Sequence, residues 1–428
     1  MGGPVLALFR TFVLCCACLA QPGLAQPSPP TDGFDAFLSS CPQSLVYASS
    51  ASASLPKLRF ASGDDILRTV DTSGTMHSAV PRIGLWGDSH TASGHFVDAM
   101  LSAWGFGSTR ALPASLPPAL GLAGVRLPVR SQCLSAGWKL QTAHRANPNQ
   151  GGFTPSLMHL STSAPGEALW LDFGDWAAPH RLQSLTLRFA KADPQRALVL
   201  GLSVNHAPEA LVSLTDPAHN TLQIRPPVGP LTSMRLRLVT GQLTLHAIDL
   251  SYQTPPKVLM DVFSSPGALA SGWNQPGIRS MPVARYDLAI FQYGTNEAIG
   301  ATFDPQAYTQ SLRQSLRRFR AVTGNTRCVL IGPPDRASQP AVNPPYALRH
   351  MVINRIQDTL SRESGCQFWN WQTAMGANIA RWASANPPLA QTDWTHLTGA
   401  GYAQSARLFA AAMPALAPAK PRTSGADN

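Results

Sequence analysis

Charge is scarce in this sequence. Of 428 residues 13% are charged, and acids are the scarcer sign, with 23 Asp and Glu against 33 Lys and Arg. A chain held open by self-repulsion needs high net charge and few apolar residues. Here 44% of residues are hydrophobic, which supplies packed cores instead. Beyond the N-terminal leader no segment approaches the about 18 consecutive apolar residues of a membrane-spanning helix, so no stable membrane insertion of the mature chain is expected. The same part of the chain lacks Cys-x-x-Cys and His-x-x-x-His spacings, so no metal site is expected. Basic runs interleaved with aromatics are missing too, which argues against nucleic acid as a partner. Internal repeats and heptads are also lacking. The chain is too long for one typical domain and comfortable for two.

What is present begins with the leader. Arg10 supplies a positive charge, Thr11 to Ala20 is a short apolar run, and Gly23-Leu24-Ala25 ends in a small residue suited to cleavage. Residues 1–25 therefore read as a signal peptide, with an uncleaved anchor as the alternative. Export to the periplasm or cell envelope follows. Three of the seven cysteines would leave with it; Cys41, Cys133, Cys328 and Cys366 stay. Cys328 and Cys366 each open an apolar, strand-like run, which favours their pairing and leaves Cys41 for Cys133; four buried thiols is the alternative. The net charge of +10 suits an anionic polymer or membrane surface, or is an ordinary solvated surface.

Three textures follow one another. Residues 26–75 form an N-terminal segment, Pro- and Ser-rich over 26–60, with a short helical stretch near Phe34–Leu45. Arg82-Ile-Gly-Leu-Trp86 is a buried-strand pattern closed by Gly87-Asp88, and Ser93 to Trp104 has helical spacing. Between 151 and 252 the pattern changes to short apolar or alternating runs at Leu157–Leu160, Ala168–Phe173, Leu182–Phe189, Ala197–Val204, Thr221–Ile224, Met234–Val239 and Leu243–Leu250, as in a β-sandwich or jelly roll. After Pro255-Pro256 strands and helices alternate again. Strands are expected at Lys257–Phe263, Asp287–Tyr293, Arg327–Ile331 and Cys366–Trp371, with helices at Tyr308–Val322, Tyr346–Arg362 and Ala400–Met413. The expectation is an α/β fold, a three-layer parallel sheet with helices on both faces, built from 76–130 and 255–420 and interrupted by the all-β insertion.

The polar residues that carry chemistry sit where those strands end. Ser89 follows Gly87-Asp88 at a strand-to-helix turn; a Ser hydroxyl there needs a base to become a nucleophile. Alone, the triplet also fits a turn with an N-cap. Asp393-Trp394-Thr395-His396 precedes the last helix. His suits general base work near neutral pH, and a carboxylate on its other nitrogen fixes the tautomer. The alternative is a polar cap on that helix. Gly294-Thr295-Asn296-Glu297 follows the strand ending at Tyr293, where an Asn amide can donate to an oxyanion. The Gly267 N–H, in Ser265-Pro266-Gly267-Ala268, is a second candidate donor. His90, Glu297 and Trp394 are candidates to line the pocket, or to pack and cap beside it.

Taken together, Gly87-Asp88-Ser89-His90, Gly294-Thr295-Asn296 and Asp393-Trp394-Thr395-His396 resemble the SGNH (GDSL-like) hydrolase superfamily. Adding Thr91, Glu297-Ala298 and a β-rich insertion after the first helix, the pattern is similar to that of the bacterial peptidoglycan O-acetylesterases. The resemblance implies catalytic Ser89, His396 and Asp393, with an oxyanion hole from Asn296 and the N–H groups of Gly267 and Ser89. The Gly267 segment departs from the family's Gly-x-x-Gly form. The resemblance implies no cofactor, a monomer, an O-acetylated polysaccharide as substrate, and a jelly-roll insertion like a carbohydrate-binding module. Trp170, Trp176 and Tyr252 are its aromatic candidates for sugar stacking, with burial the competing expectation. A polysaccharide O-acetyltransferase using the same triad, and a non-catalytic glycan-binding protein, are the rival functions.

Overall fold

The segments with continuous apolar runs become strands buried on both faces. The computed structural model describes residues 67–68, 80–107, 111–148, 150–174, 177–191, 197–216, 220–278, 286–299, 302–337 and 345–414. The expected signal peptide, the helical stretch near Phe34–Leu45, Cys41 and Trp176 lie outside them. In chain order the elements are β1 (Leu67–Arg68), β2 (Arg82–Gly87), α1 (Ser89–Ala92), α2 (His95–Ala103), β3 (Ser115–Leu116), β4 (Ser131–Leu134), β5 (Lys139–Thr142), β6 (Met158–Thr162), β7 (Ala168–Asp172), β8 (Leu182–Lys191), β9 (Leu198–Val204), β10 (Ala210–Leu214), β11 (Thr221–Ile224), β12 (Ser233–Thr240) and β13 (Leu243–Tyr252). They continue with β14 (Leu259–Ser264), a 3₁₀ turn (Ala270–Asn274), β15 (Leu288–Gln292), α3 (Pro305–Thr323), β16 (Arg327–Ile331), α4 (Tyr346–Glu363), β17 (Gln367–Trp369), α5 (Trp371–Ala374), α6 (Ile379–Ala383) and α7 (Gly399–Ala412).

Five strands form a parallel sheet in the order β14-β2-β15-β16-β17. Alternate residues of β15 serve two cores. Leu288 and Ile290 face one with Phe96, Met100 and Phe409, on the side of α2 and α7. Ala289 and Phe291 face the other with Leu312, Phe319 and Leu360, on the side of α3 and α4. Period-two alternation is thus hidden in the sequence because both faces are covered. Trp86 anchors the second core, with ring centroids 5.1 Å from Phe263 and 5.5 Å from Phe319. The helix expected at Ser93–Trp104 forms as α2, capped by Gly94 at φ 77°; the short α1 before it was not expected. The guanidinium of Arg126 occupies the space a Gly94 side chain would need.

The intervening block forms two antiparallel sheets, β1-β11-β8-β13-β6-β5 with β3 on β13, and β10-β9-β12-β7-β4. Their inward leucines share one core, which joins Leu169, Leu200 and Leu236 to Leu160, Leu187 and Leu245. Every run expected there falls on a strand. β3, β4 and β5 join these sheets from before residue 151; β3 has only two residues, and the partly exposed, polar-rich β4 and β5 carry little periodic signal. The Tyr252 ring is buried, and its hydroxyl donates to the Pro113 carbonyl at 2.6 Å. Burial thus prevails over sugar stacking for this residue.

Two buried contacts fasten the block to the parallel sheet. Asp261 pairs with Arg82 at 2.5 Å and accepts the N–H groups of Ala114 and Ser115, both at 2.8 Å. The Trp86 indole donates to the Pro155 carbonyl at 2.6 Å. No described helix is long and apolar enough to cross a membrane.

Cys328 and Cys366 form a disulfide across 38 residues, tying β16 to the start of the edge strand β17. Cys133 is disulfide-bonded as well. Closing a loop of that length restricts the unfolded chain, so Cys328→Ala with Cys366→Ala should lower stability by roughly 4 kcal/mol in urea denaturation. The wild type treated with reductant should be at least as destabilised as the double variant, because the Cys133 disulfide is reduced too.

Candidate active site

The site begins with three strands that end level. Gly87 of β2 lies beside Ser264 of β14 on one side and Gln292 of β15 on the other. β2 and β15 flank the point where the strand order reverses, the usual ligand crevice of an open parallel sheet. Beneath it is a buried polar lattice. Gln292 Oε1 accepts the Asp88 N–H at 3.2 Å and the Thr91 hydroxyl at 3.1 Å, and Thr91 Oγ1 meets Ser264 Oγ at 2.8 Å. A Cβ on Gly87 would stand 2.4 Å from Thr91 Oγ1 and 2.7 Å from Gln292 Oε1. Gly87 is therefore required by space, rather than by the tight turn expected of it.

Asp88, not Ser89, caps α1, its carboxylate accepting the His90 N–H at 3.0 Å. Ser89 is thereby left as the first helical residue, with its hydroxyl turned outward. That hydroxyl donates to His396 Nε2 at 2.9 Å, across 307 residues of sequence. His396 Nδ1 lies 2.6 Å from Asp393 Oδ2. A carboxylate on Nδ1 places the ring proton there and leaves Nε2 as the acceptor. Asp393 Oδ1 accepts the N–H groups of Thr395 at 3.0 Å and His396 at 2.9 Å. Burial pushes the Asp393 carboxyl up, but the bonds from the His396 ring and the two N–H groups outweigh it and hold the group below its ordinary value. Asp393 is thus ionised at neutral pH.

The loop that carries this pair is shaped by Trp394, whose φ of 49° is costly for a bulky side chain. Its N–H donates to Gln391 O and its carbonyl accepts from Ala337 N, each at 3.1 Å. The ring is 44% exposed beside the triad. The final helix is capped by Thr398, whose Oγ1 accepts the Gly401 N–H at 3.2 Å. Asp393 and His396 therefore do not serve as its cap. His90 lies behind His396, with ring centroids 5.3 Å apart. It is fully buried, and burial with the nearby His396 holds it far below its ordinary value, hence neutral.

The Gly267 and Asn296 segments close the opposite side. The Ser265 N–H donates to Gly87 O at 3.1 Å, and the Ala268 N–H to Ser265 O at 3.1 Å. With Pro266 second and Gly267 third at φ 75°, this is the pattern of a type II turn. Asn296 Nδ2 donates to Ala268 O at 3.0 Å, leaving its second amide hydrogen for another acceptor. Glu297 Oε1 accepts the Ala270 N–H at 2.8 Å. These two bonds lock the segments together. Sequence reasoning missed Gln292 and assigned Thr91 to the motif without a role; a glutamine closing an otherwise apolar buried strand was the available signal for the first.

Two carboxyls in this lattice resist ionisation. Burial raises Glu297 to about 7, more than the Ala270 N–H lowers it, and raises Asp88 to about 6 despite the His90 N–H and the Gln292 and Thr295 side chains. A carboxyl whose folded pKa is raised contributes stability below its unfolded pKa and loses it as pH rises through the folded value. For Glu297 that window runs from about 4.5 to about 7. Glu297→Gln keeps an oxygen for the Ala270 N–H and cannot ionise. Its melting temperature should fall less than that of the wild type across this window in calorimetry; parallel profiles would remove Glu297 as the cause.

Residues 256–404 match the GDSL-like Lipase/Acylhydrolase family. No curated protein matches the sequence. Among solved structures, one described as a peptidoglycan O-acetylesterase in action superposes with a TM-score of 0.60 at 21% identity, over 79% of this chain and 92% of its own. A lipase/acylhydrolase from Enterococcus faecalis matches at a TM-score of 0.30 and 16% identity, over 37% of this chain and 76% of its own. A family two carbohydrate esterase from Cellvibrio japonicus matches at 0.27 and 11%, over 67% and 97%. The first shares the fold; the other two are too distant to bear on it. Residues 256–404 thus resemble the GDSL-like lipase/acylhydrolase family, and on that match the chain is a carboxylic ester hydrolase.

Proposed function

We propose that this enzyme removes O-acetyl groups from a cell-envelope polysaccharide, peptidoglycan first, after export to the periplasm or cell envelope. The observation that carries the reading is the hydrogen-bonded line from Ser89 Oγ through His396 to Asp393, at 2.9 and 2.6 Å. The choice of polymer leans on the likeness of fold to the peptidoglycan O-acetylesterase structure. The antiparallel block fits a jelly-roll-like, carbohydrate-binding-module-like insertion that steers the glycan toward Ser89.

Ser89 Oγ attacks the acetyl carbonyl carbon while its proton passes to His396 Nε2. The imidazolium is steadied by ionised Asp393. The carbonyl oxygen becomes an oxyanion held by the second Asn296 amide hydrogen and the N–H groups of Gly267 and Ser89. Collapse breaks the bond from the acyl carbon to the sugar oxygen, and His396 returns the proton to that oxygen. Acetyl stays on Ser89. Water then gives a proton to His396 and attacks the same carbon, and collapse releases acetate and Ser89 Oγ–H. These steps run on the chain's own side chains and water.

Ser89→Ala should abolish acetate release, and full activity in that variant would exclude the acyl-enzyme route. Asn296→Ala should lower kcat roughly 100–1,000-fold, as expected for loss of one oxyanion donor. Acetate release from O-acetylated peptidoglycan should exceed that from O-acetylated xylan and O-acetylated alginate. Comparable rates on all three would refute the choice of polymer.

A further inference from the structure

The antiparallel block contributes a cation to the edge of the site. Arg145 lies on the turn between β5 and β6, with its N–H and that of Ala146 both donating to Thr142 O, at 3.0 and 3.1 Å. Gln275 Nε2 fastens this turn to the parallel-sheet side by donating to the carbonyls of Ala143 at 3.0 Å and Ala146 at 3.3 Å. The Arg145 guanidinium stands beside Gly267: a Cβ built on that glycine would lie 3.2 Å from Arg145 Nη2. Gly267 is itself bound into the turn that hydrogen-bonds to the end of β2, next to Ser89.

Among the described residues no ion pair is formed by Arg145, in contrast to several arginines of the same block. Arg126, Arg130, Arg188, Arg235 and Arg237 are each paired with an Asp or Glu. Among the described residues no carboxylate lies within ion-pair reach of Arg145, and the residue is exposed. The adjacent His144 is pushed down to about 4 by burial and by Arg145, so it is neutral at neutral pH and the local charge is the guanidinium's. An exposed guanidinium carried on a fastened turn beside a reacting centre is suited to a planar anion, which it binds with two parallel N–H donors.

We infer that Arg145 forms a subsite for a carboxylate on the substrate glycan or on a chain attached to it, close to the acetyl ester. The subsite makes the enzyme prefer anionic acetylated glycans over neutral ones. The inference rests on the esterase reading of the Ser89 site and adds the charge of the substrate to it.

The test is a ratio within each protein: kcat/KM for acetate release from O-acetylated peptidoglycan, divided by that from the same polymer after carbodiimide amidation of its carboxylates. A ratio is insensitive to how much of a variant folds. Wild type should favour the native polymer by about tenfold, the scale of one charge-assisted hydrogen-bonded pair. Arg145→Ala should bring the ratio close to one, Arg145→Lys should keep part of it, and Arg145→Glu should invert it. Added salt should shrink the wild-type ratio. A wild-type ratio near one, or an equal ratio in wild type and Arg145→Ala, overturns the subsite. If wild type cleaves p-nitrophenyl acetate but neither peptidoglycan, the polymer of the preceding proposal is wrong. The same ratio is then read on O-acetylated alginate and its carboxyl-reduced form, with the same outcomes deciding.

Discussion

The level ending of β14, β2 and β15 is the constraint on which the rest of the site depends. Parallel pairing sets Ser264, Gly87 and Gln292 side by side. Their side chains and backbone then leave room for one glycine and one buried lattice. Gln292 holds the Asp88 N–H and the Thr91 hydroxyl, which sets the start of α1 and therefore the direction of Ser89. Slip any of the three strands by one residue and its inward and outward side chains exchange faces, which both cores forbid. Packing far from the chemistry thus fixes the position of the attacking oxygen.

Around that fixed point the carboxyls differ in how readily they ionise. Asp393 is held ionised by three N–H donors on a partly exposed loop. Asp88 and Glu297 are pushed the other way by burial, and His90 is kept neutral. The same residue type thus serves opposite ends according to its access to water and donors. The carboxylate on the loop that must steady an imidazolium is the most readily ionised of the three. The bonds from Asn296 to Ala268 and from Glu297 to Ala270 make the two proposed oxyanion segments one unit.

Much of this was legible in the sequence, for local reasons. Each strand of the parallel sheet and each long helix after β2 lies where apolar runs and helical spacing put it, because those signals are short-range. Ser89, Asn296, Asp393 and His396 were legible as polar residues at strand-end turns. The short α1 before Gly94 was not, because four residues are too few to show a helical period. β4 and β5 were not, because half-exposed short strands carry little periodicity. The family match covers 256–404 and leaves Ser89 out; the antiparallel block separates that serine from the remainder of its own site.

The sequence by itself determined the kinds of element, the glycine at 87 and the chemical character of the four polar side chains, since these are properties of neighbouring residues. Tertiary structure alone decided the strand order, which places β14 outside β2 and β15 inside it. It alone brought Ser89 within 2.9 Å of His396 and turned Arg145 toward Gly267. The physical reason is range: periodicity and turn chemistry act over a few residues, whereas these contacts join segments that share nothing but a common burial surface.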